Sequence, residues 1–239
     1  MKRLCSALLV GALLQGAEPV VCLQPLLGIP YQADGVEDAQ GRFVLFSAPN
    51  QPLARPGLNC SGFLVAASRR LLDFRGSLES ATQDRGNDSG NGASLGQDWD
   101  FGLDLILNLS EGHPRRQLFP EGPRSLPALL SPRNRGFPFG TTSLWDALTP
   151  RLSTRAVYLA SLSWVKAGRL AHHHVAVILK DNQGRSWFYH TLPRGRVHRL
   201  SLDTSKGRAR LQQMFGSTQR MFLLEVDPPS SMEGTSVQR

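Results

Sequence analysis

Leu58-Asn59-Cys60-Ser61-Gly62-Phe63-Leu64-Val65 is the stretch from which the rest of the chain is read. A cysteine follows a Pro56-Gly57 turn and opens an apolar run that ends in Arg69-Arg70-Leu71-Leu72. Asn59 is a helix cap, because its short side chain accepts a bond from a free first-turn amide. The apolar positions Phe63, Leu64, Ala67, Leu71 and Leu72 recur at spacings of three and four, which predicts a helix from Cys60 to about Phe74. A thiol at the start of that helix sits at the positive end of its dipole. That position favours the thiolate, the nucleophilic form. A buried structural cysteine is the competing reading of the same residue.

Cysteine usage adds weight to the first reading. Met1-Lys2-Arg3 followed by the apolar run Leu4 to Leu14 reads as an export signal over residues 1–22, with cleavage after Ala17 or Cys22. The run is too short to span a bilayer, so no stable transmembrane segment is expected. Of the three cysteines, Cys5 leaves with the signal, and Cys22 leaves with it or stays on a frayed end. The exported protein then carries one unpaired thiol, Cys60, in an oxidising compartment, which marks it for reaction or for pairing.

A chain of 239 residues, 41% of them hydrophobic, has ample apolar content for a buried core. The net charge of +8 favours anionic surroundings. No nucleic-acid-binding motif accompanies the arginines, so a nucleic-acid partner is not expected. Seven Lys and Arg against one Asp in residues 194–220, and more arginine in residues 111–140, form either a solvated basic face or a dock for anionic envelope polymer.

Beyond the helix, Arg42–Phe46 is strand-like, and residues 77–97, rich in Gly, Ser, Asn and Asp, read as a mobile loop. Phe101–Leu109 alternates enough to be read as a strand, and residues 111–140 as a long loop. Ser143–Leu148 is a short helix, and Ala156–Leu162 a core strand. His174–Lys180 and Ser186–Thr191 are two strands joined by the tight turn Asp181-Asn182-Gln183-Gly184. Val197–Leu202 is a third strand, Ser205–Phe215 an amphipathic helix, and Met221–Val226 a last strand. Residues 227–239 are a polar tail expected to be disordered.

Thiol catalysis needs a histidine within reach of the sulfur and a third polar group to orient its ring. His174 opens one strand and His190 lies on its hairpin partner, where cross-strand neighbours touch. The order of Cys-bearing helix and then His-bearing strand is that of papain-like folds. Asn59-Cys60-Ser61-Gly62-Phe63 resembles the Asp-Cys-Ser-Gly-Phe/Leu signature of the NlpC/P60 cysteine peptidases. His174-Val175-Ala176-Val177-Ile178-Leu179 resembles their His-Val-Gly-Ile-Tyr-Leu strand, and Phe188-Tyr189-His190 their third-residue strand. Here Asn59 replaces the usual Asp, and 114 residues separate Cys60 from His174, far more than in compact members. Residues 77–140 are the insertion. Tyr31 is the candidate for the upstream tyrosine that members place near the oxyanion.

The resemblance implies an α+β papain-like domain over residues 25–226, with the Cys-bearing helix packed on an antiparallel sheet. It also implies an exported thiol amidase or peptidase that hydrolyses an amide bond in peptidoglycan peptides. Cys60 attacks, His174 moves the proton, His190 holds the ring, and Asn59 and Ser61 lie by the oxyanion. His172 is the alternative base. No cofactor is required, and the adjacent histidines 172–174 complete no zinc set at known spacing. The alternatives are a papain-like acyltransferase and a catalytically inactive envelope-binding module that uses the basic face.

Overall fold

The computed structural model describes residues 18–85, 100–126, 136–166, 169–216 and 219–229. Its architecture is α+β. A main antiparallel sheet is centred on two long strands, β7 (Val157–Lys166) and β8 (Arg169–Lys180). On one side β8 pairs with β9 (Ser186–His190), and β9 with β10 (His198–Ser201). On the other, β7 pairs with β11 (Arg220–Val226), which pairs with β4 (Arg115–Phe119), and β4 with β5 (Gly122–Arg124). The two-residue strand β6 (Phe137–Pro138) adds to the start of β11. A small three-stranded sheet, β1 (Gly35–Glu37), β2 (Phe43–Leu45) and β3 (Ala48–Pro52), precedes the Cys60 helix.

Strand alternation divides the core into two, one on each face of the main sheet. Leu159, Val175, Val177 and Tyr189 point to the first face, which is covered by α2 (Cys60–Leu71) and α4 (Phe101–Leu109). Ala160, Leu162, Ala176, Ile178 and Phe188 point to the second, covered by α5 (Thr142–Leu148) and α6 (Ser205–Phe215). Helix α2 starts as its sequence requires, with Asn59 Oδ1 accepting from the Gly62 amide at 2.7 Å. Gly62 is glycine for a packing reason: a Cβ there would run into the Gly35 carbonyl oxygen of β1. Ser205–Phe215 is helical as expected, with the Thr204 hydroxyl accepting from the Gly207 amide at 3.1 Å.

Four expectations are corrected. Phe101–Leu109 is a helix, not a strand: nearly every one of its side chains is buried, so no alternating solvent face exists to read. Residues 111–140 are not one long loop, since β4 and β5 extend the main sheet through β11. At β4, Arg116 clamps Glu225 of β11 through two bonds of 2.7 and 2.9 Å. The expected mobile loop begins with structure instead: Ser77 caps α3 (Leu78–Ala81), whose Ala81 is buried. The remainder of that loop, 86–97, lies outside the described residues, as does the tail from 230. Finally, Cys22 is not on a frayed end. Within residues 1–22, α1 (Pro19–Cys22) buries Val20 and packs Cys22 against the first core, and Leu23 is fully buried. That packing begins before the expected domain boundary at residue 25.

Candidate functional site

Cys60 is partly buried at the first turn of α2, where the helix meets β8. Burial pushes the thiol above its ordinary value. The neighbouring Ser61 hydroxyl and the N–H groups of Val175 in β8, Ser61 and Cys60 pull the other way. Desolvation wins, so the resting group is a thiol, and the expectation of a resting thiolate from helix position alone is corrected. Asn59 spends its side-chain oxygen on the cap, and Ser61 is buried beside the thiol.

Tyr31 reaches this place from far upstream. It bridges Leu58 in parallel and its N–H bonds to the Gly195 carbonyl at 2.9 Å. Burial raises its phenol, and so, secondarily, does the charge that Cys60 carries when ionised.

The histidines divide between the two faces. In the pairing of β7 with β8, Ser161 faces Val175, Leu162 faces His174, and Ser163 faces His172. His173 is therefore an extra residue, a bulge that resets the alternation. His174 points to the second face, against Phe215 of α6 with ring centroids 4.9 Å apart. His190 joins it there, its Nδ1 3.3 Å from His174 Nε2 and the rings perpendicular. His190 also packs on Phe188 and His198. Burial holds both rings neutral, with His190 pushed down to about 3 and His174 well below its usual range.

The expected Cys60–His174–His190 triad is thus not assembled. His174 and His190 do meet, but on the face of the sheet opposite Cys60. Regular alternation from Val175 turns His174 away from Cys60, and the bulge at His173 brings His172 round to the Cys60 face in its place.

His172, the alternative base, is on the Cys60 face. Its ring lies edge-on to Phe101 at the start of α4, with centroids 5.4 Å apart, and burial pushes it down to about 3. The opening turns of α2 and α4 both reach the early part of β8, at Val175 and His172. Among the described residues no group of three or more His, Cys, Asp and Glu is placed to hold a metal ion. No helix of these residues is long and apolar enough to cross a membrane.

Sequence reading missed the Val175 amide and the α4 start. A run of three histidines at the head of an apolar strand breaks strict alternation, and that was the available signal for a bulge.

No family model and no curated protein matches the chain. Among solved structures, protein LPG0564 from Legionella pneumophila str. Philadelphia 1, family-model DUF1460, aligns at a TM-score of 0.47 and 14% identity. That alignment covers 88% of this chain and 88% of that one.

Proposed function

We propose that the protein is an exported thiol-dependent amidase or peptidase, papain-like in arrangement, that hydrolyses an amide bond in peptidoglycan peptides. Cys60 is the nucleophile and His172 the base. One observation supports this most: Cys60 opens a helix capped by Asn59, beside β8, on the face of the sheet that His172 shares. At rest the pair is thiol and neutral imidazole, since burial raises one and lowers the other. Proton transfer from Sγ to His172 as the sulfur attacks the carbonyl gives thiolate attack without a standing charge in the buried site. The protonated ring then returns its proton to the leaving amine. Tyr31, whose backbone bridges Leu58 just ahead of Cys60, is the donor for the carbonyl oxygen in this reading.

The inactive envelope-binding module is the second reading, and the raised thiol favours it. The clustered arginines favour it less, because several are internally bound: Arg116 to Glu225, Arg115 to the Leu107 carbonyl at 2.7 Å, and Arg199 stacked over Trp187 at 4.2 Å.

The test is iodoacetamide labelling of Cys60 against pH, together with turnover of peptidoglycan-derived peptides. His172→Ala should lower both by about 100-fold, the scale of a lost general base. His174→Ala should leave both within about twofold. Loss on His174→Ala with none on His172→Ala overturns the assignment of the base. A Cys60→Ala protein that turns peptides over like the wild type overturns Cys60 as the nucleophile, and a wild type that turns none over overturns the enzyme.

A further inference from the structure

With His190 on the far face, the His172 ring needs another group to hold it, and the space beside its Nδ1 shows where that group is. Gly102, in the first turn of α4, lies against that nitrogen. A Cβ on residue 102 would overlap Nδ1 and stand 2.8 Å from the Ser161 hydroxyl oxygen. The imidazole nitrogen and the hydroxyl therefore flank a single space that only glycine leaves open. Nδ1 is buried and has no hydrogen-bond partner among the described residues. Ser161 is itself buried, on β7, directly opposite Val175. The β7 residue opposite Val175 thus also borders the base.

We infer that Ser161 is the positioning residue of the His172 ring, with Gly102 keeping open the space across which its hydroxyl turns to Nδ1 when the ring takes the thiol proton. The inference rests on His172 being the base. For Nε2 to take the thiol proton, its lone pair must be free, and the ring proton must sit on Nδ1. Once the proton has moved, the ring carries N–H on both nitrogens. A buried Nδ1–H then requires an acceptor, and a serine oxygen has lone pairs for it. Phe101, edge-on to the ring, limits its tilt. Ser161 touches neither substrate nor the reacting sulfur in this account; it acts through His172.

The test uses the full chain with ¹⁵N-labelled histidine, in wild type, Ser161→Ala, Ser161→Thr, Gly102→Ala and His172→Ala. Two quantities are read: the His172 Nδ1 resonance with its titration, and the pH profile of Cys60 labelling by iodoacetamide. Ser161→Ala should move the Nδ1 resonance, shift the His172 titration to lower pH and slow labelling about tenfold at pH 7, the effect of one hydrogen bond. Ser161→Thr keeps the hydroxyl and should restore both within about twofold. Gly102→Ala should displace the ring and slow labelling further.

An Nδ1 resonance unchanged in Ser161→Ala overturns the inference, even where His172→Ala slows labelling and the base assignment stands. Labelling that ignores His172→Ala overturns the base assignment instead. A Ser161→Thr protein that behaves like Ser161→Ala also overturns the inference, since a general loss of packing then explains both.

Discussion

His172 and His174 differ by two positions and by a face of the sheet, and only the bulge at His173 separates them. The sequence made Cys60 and its Asn59 cap legible because capping is local chemistry, set by residues three apart. The choice among three consecutive histidines was not legible, since it depends on which of them is left unpaired against β7, a non-local matter. The face that His174 and His190 occupy has a consequence for acid stability. His190 is fully buried and held at about 3, against about 6.5 for the unfolded chain. Its folded value is depressed, so below pH 6.5 the unfolded state binds a proton that the folded state refuses. Stability is therefore lost as pH falls from 6.5 toward 3. Between pH 7 and 5 this one group should cost about 2 kcal/mol, from roughly 1.5 pH units at about 1.4 kcal/mol each. Urea unfolding at both pH values checks it: His190→Leu should lose about 2 kcal/mol less than the wild type over that interval. Equal losses in the two proteins would show that His190 is not the group responsible.

Helix α4 shows how a fully buried element defeats periodicity. Asp104 and Asn108 sit four apart, a helical spacing, but the apolar residues around them leave no polar face to contrast with. Both polar groups are committed inward. Asp104 accepts the Arg85 amide at 2.9 Å, and Asn108 donates to the Ala81 and Gln83 carbonyls at 3.0 and 2.8 Å. These bonds tie α4 to α3, so Asn108→Ala strands two carbonyls that water reaches poorly. It should destabilise by about 2 kcal/mol in urea, against less than about 0.5 kcal/mol for an exposed control such as Gln213→Ala. At α2 the sensitive point is the contact of Gly62 with β1, because the clash falls on backbone that cannot rotate away. Gly62→Ala should cost about 1–3 kcal/mol by overpacking, and it should slow Cys60 labelling as the helix start moves off β8. An unchanged urea midpoint in Gly62→Ala would mean that α2 docks more loosely than its geometry states. By contrast α6, whose polar and apolar faces are distinct, was legible to the residue.

At the scale of the molecule, β8 is the shared wall of two cores, and each core keeps its own imidazoles neutral. The first core also takes in the segment just after residue 17. Val20 is buried there, Cys22 packs beside it, and the Glu18 carboxylate accepts the Asn182 amide at the turn between β8 and β9. These contacts bear on the two cleavage positions expected for the proposed export signal. Cutting after Ala17 leaves every one of them in place. Cutting after Cys22 removes the buried Val20 and the Glu18 bond, and opens the core over α2. Burying a valine is worth about 2 kcal/mol, so the shorter chain should be less stable by at least that much. Intact mass measurement of protein recovered from the exported fraction should therefore give a chain beginning at Glu18. A recombinant chain beginning at Leu23 should unfold at lower urea than one beginning at Glu18, with the deficit near 2 kcal/mol. Recovery of an exported chain that begins at Leu23 and matches the longer one in urea would show that α1 contributes nothing to the fold.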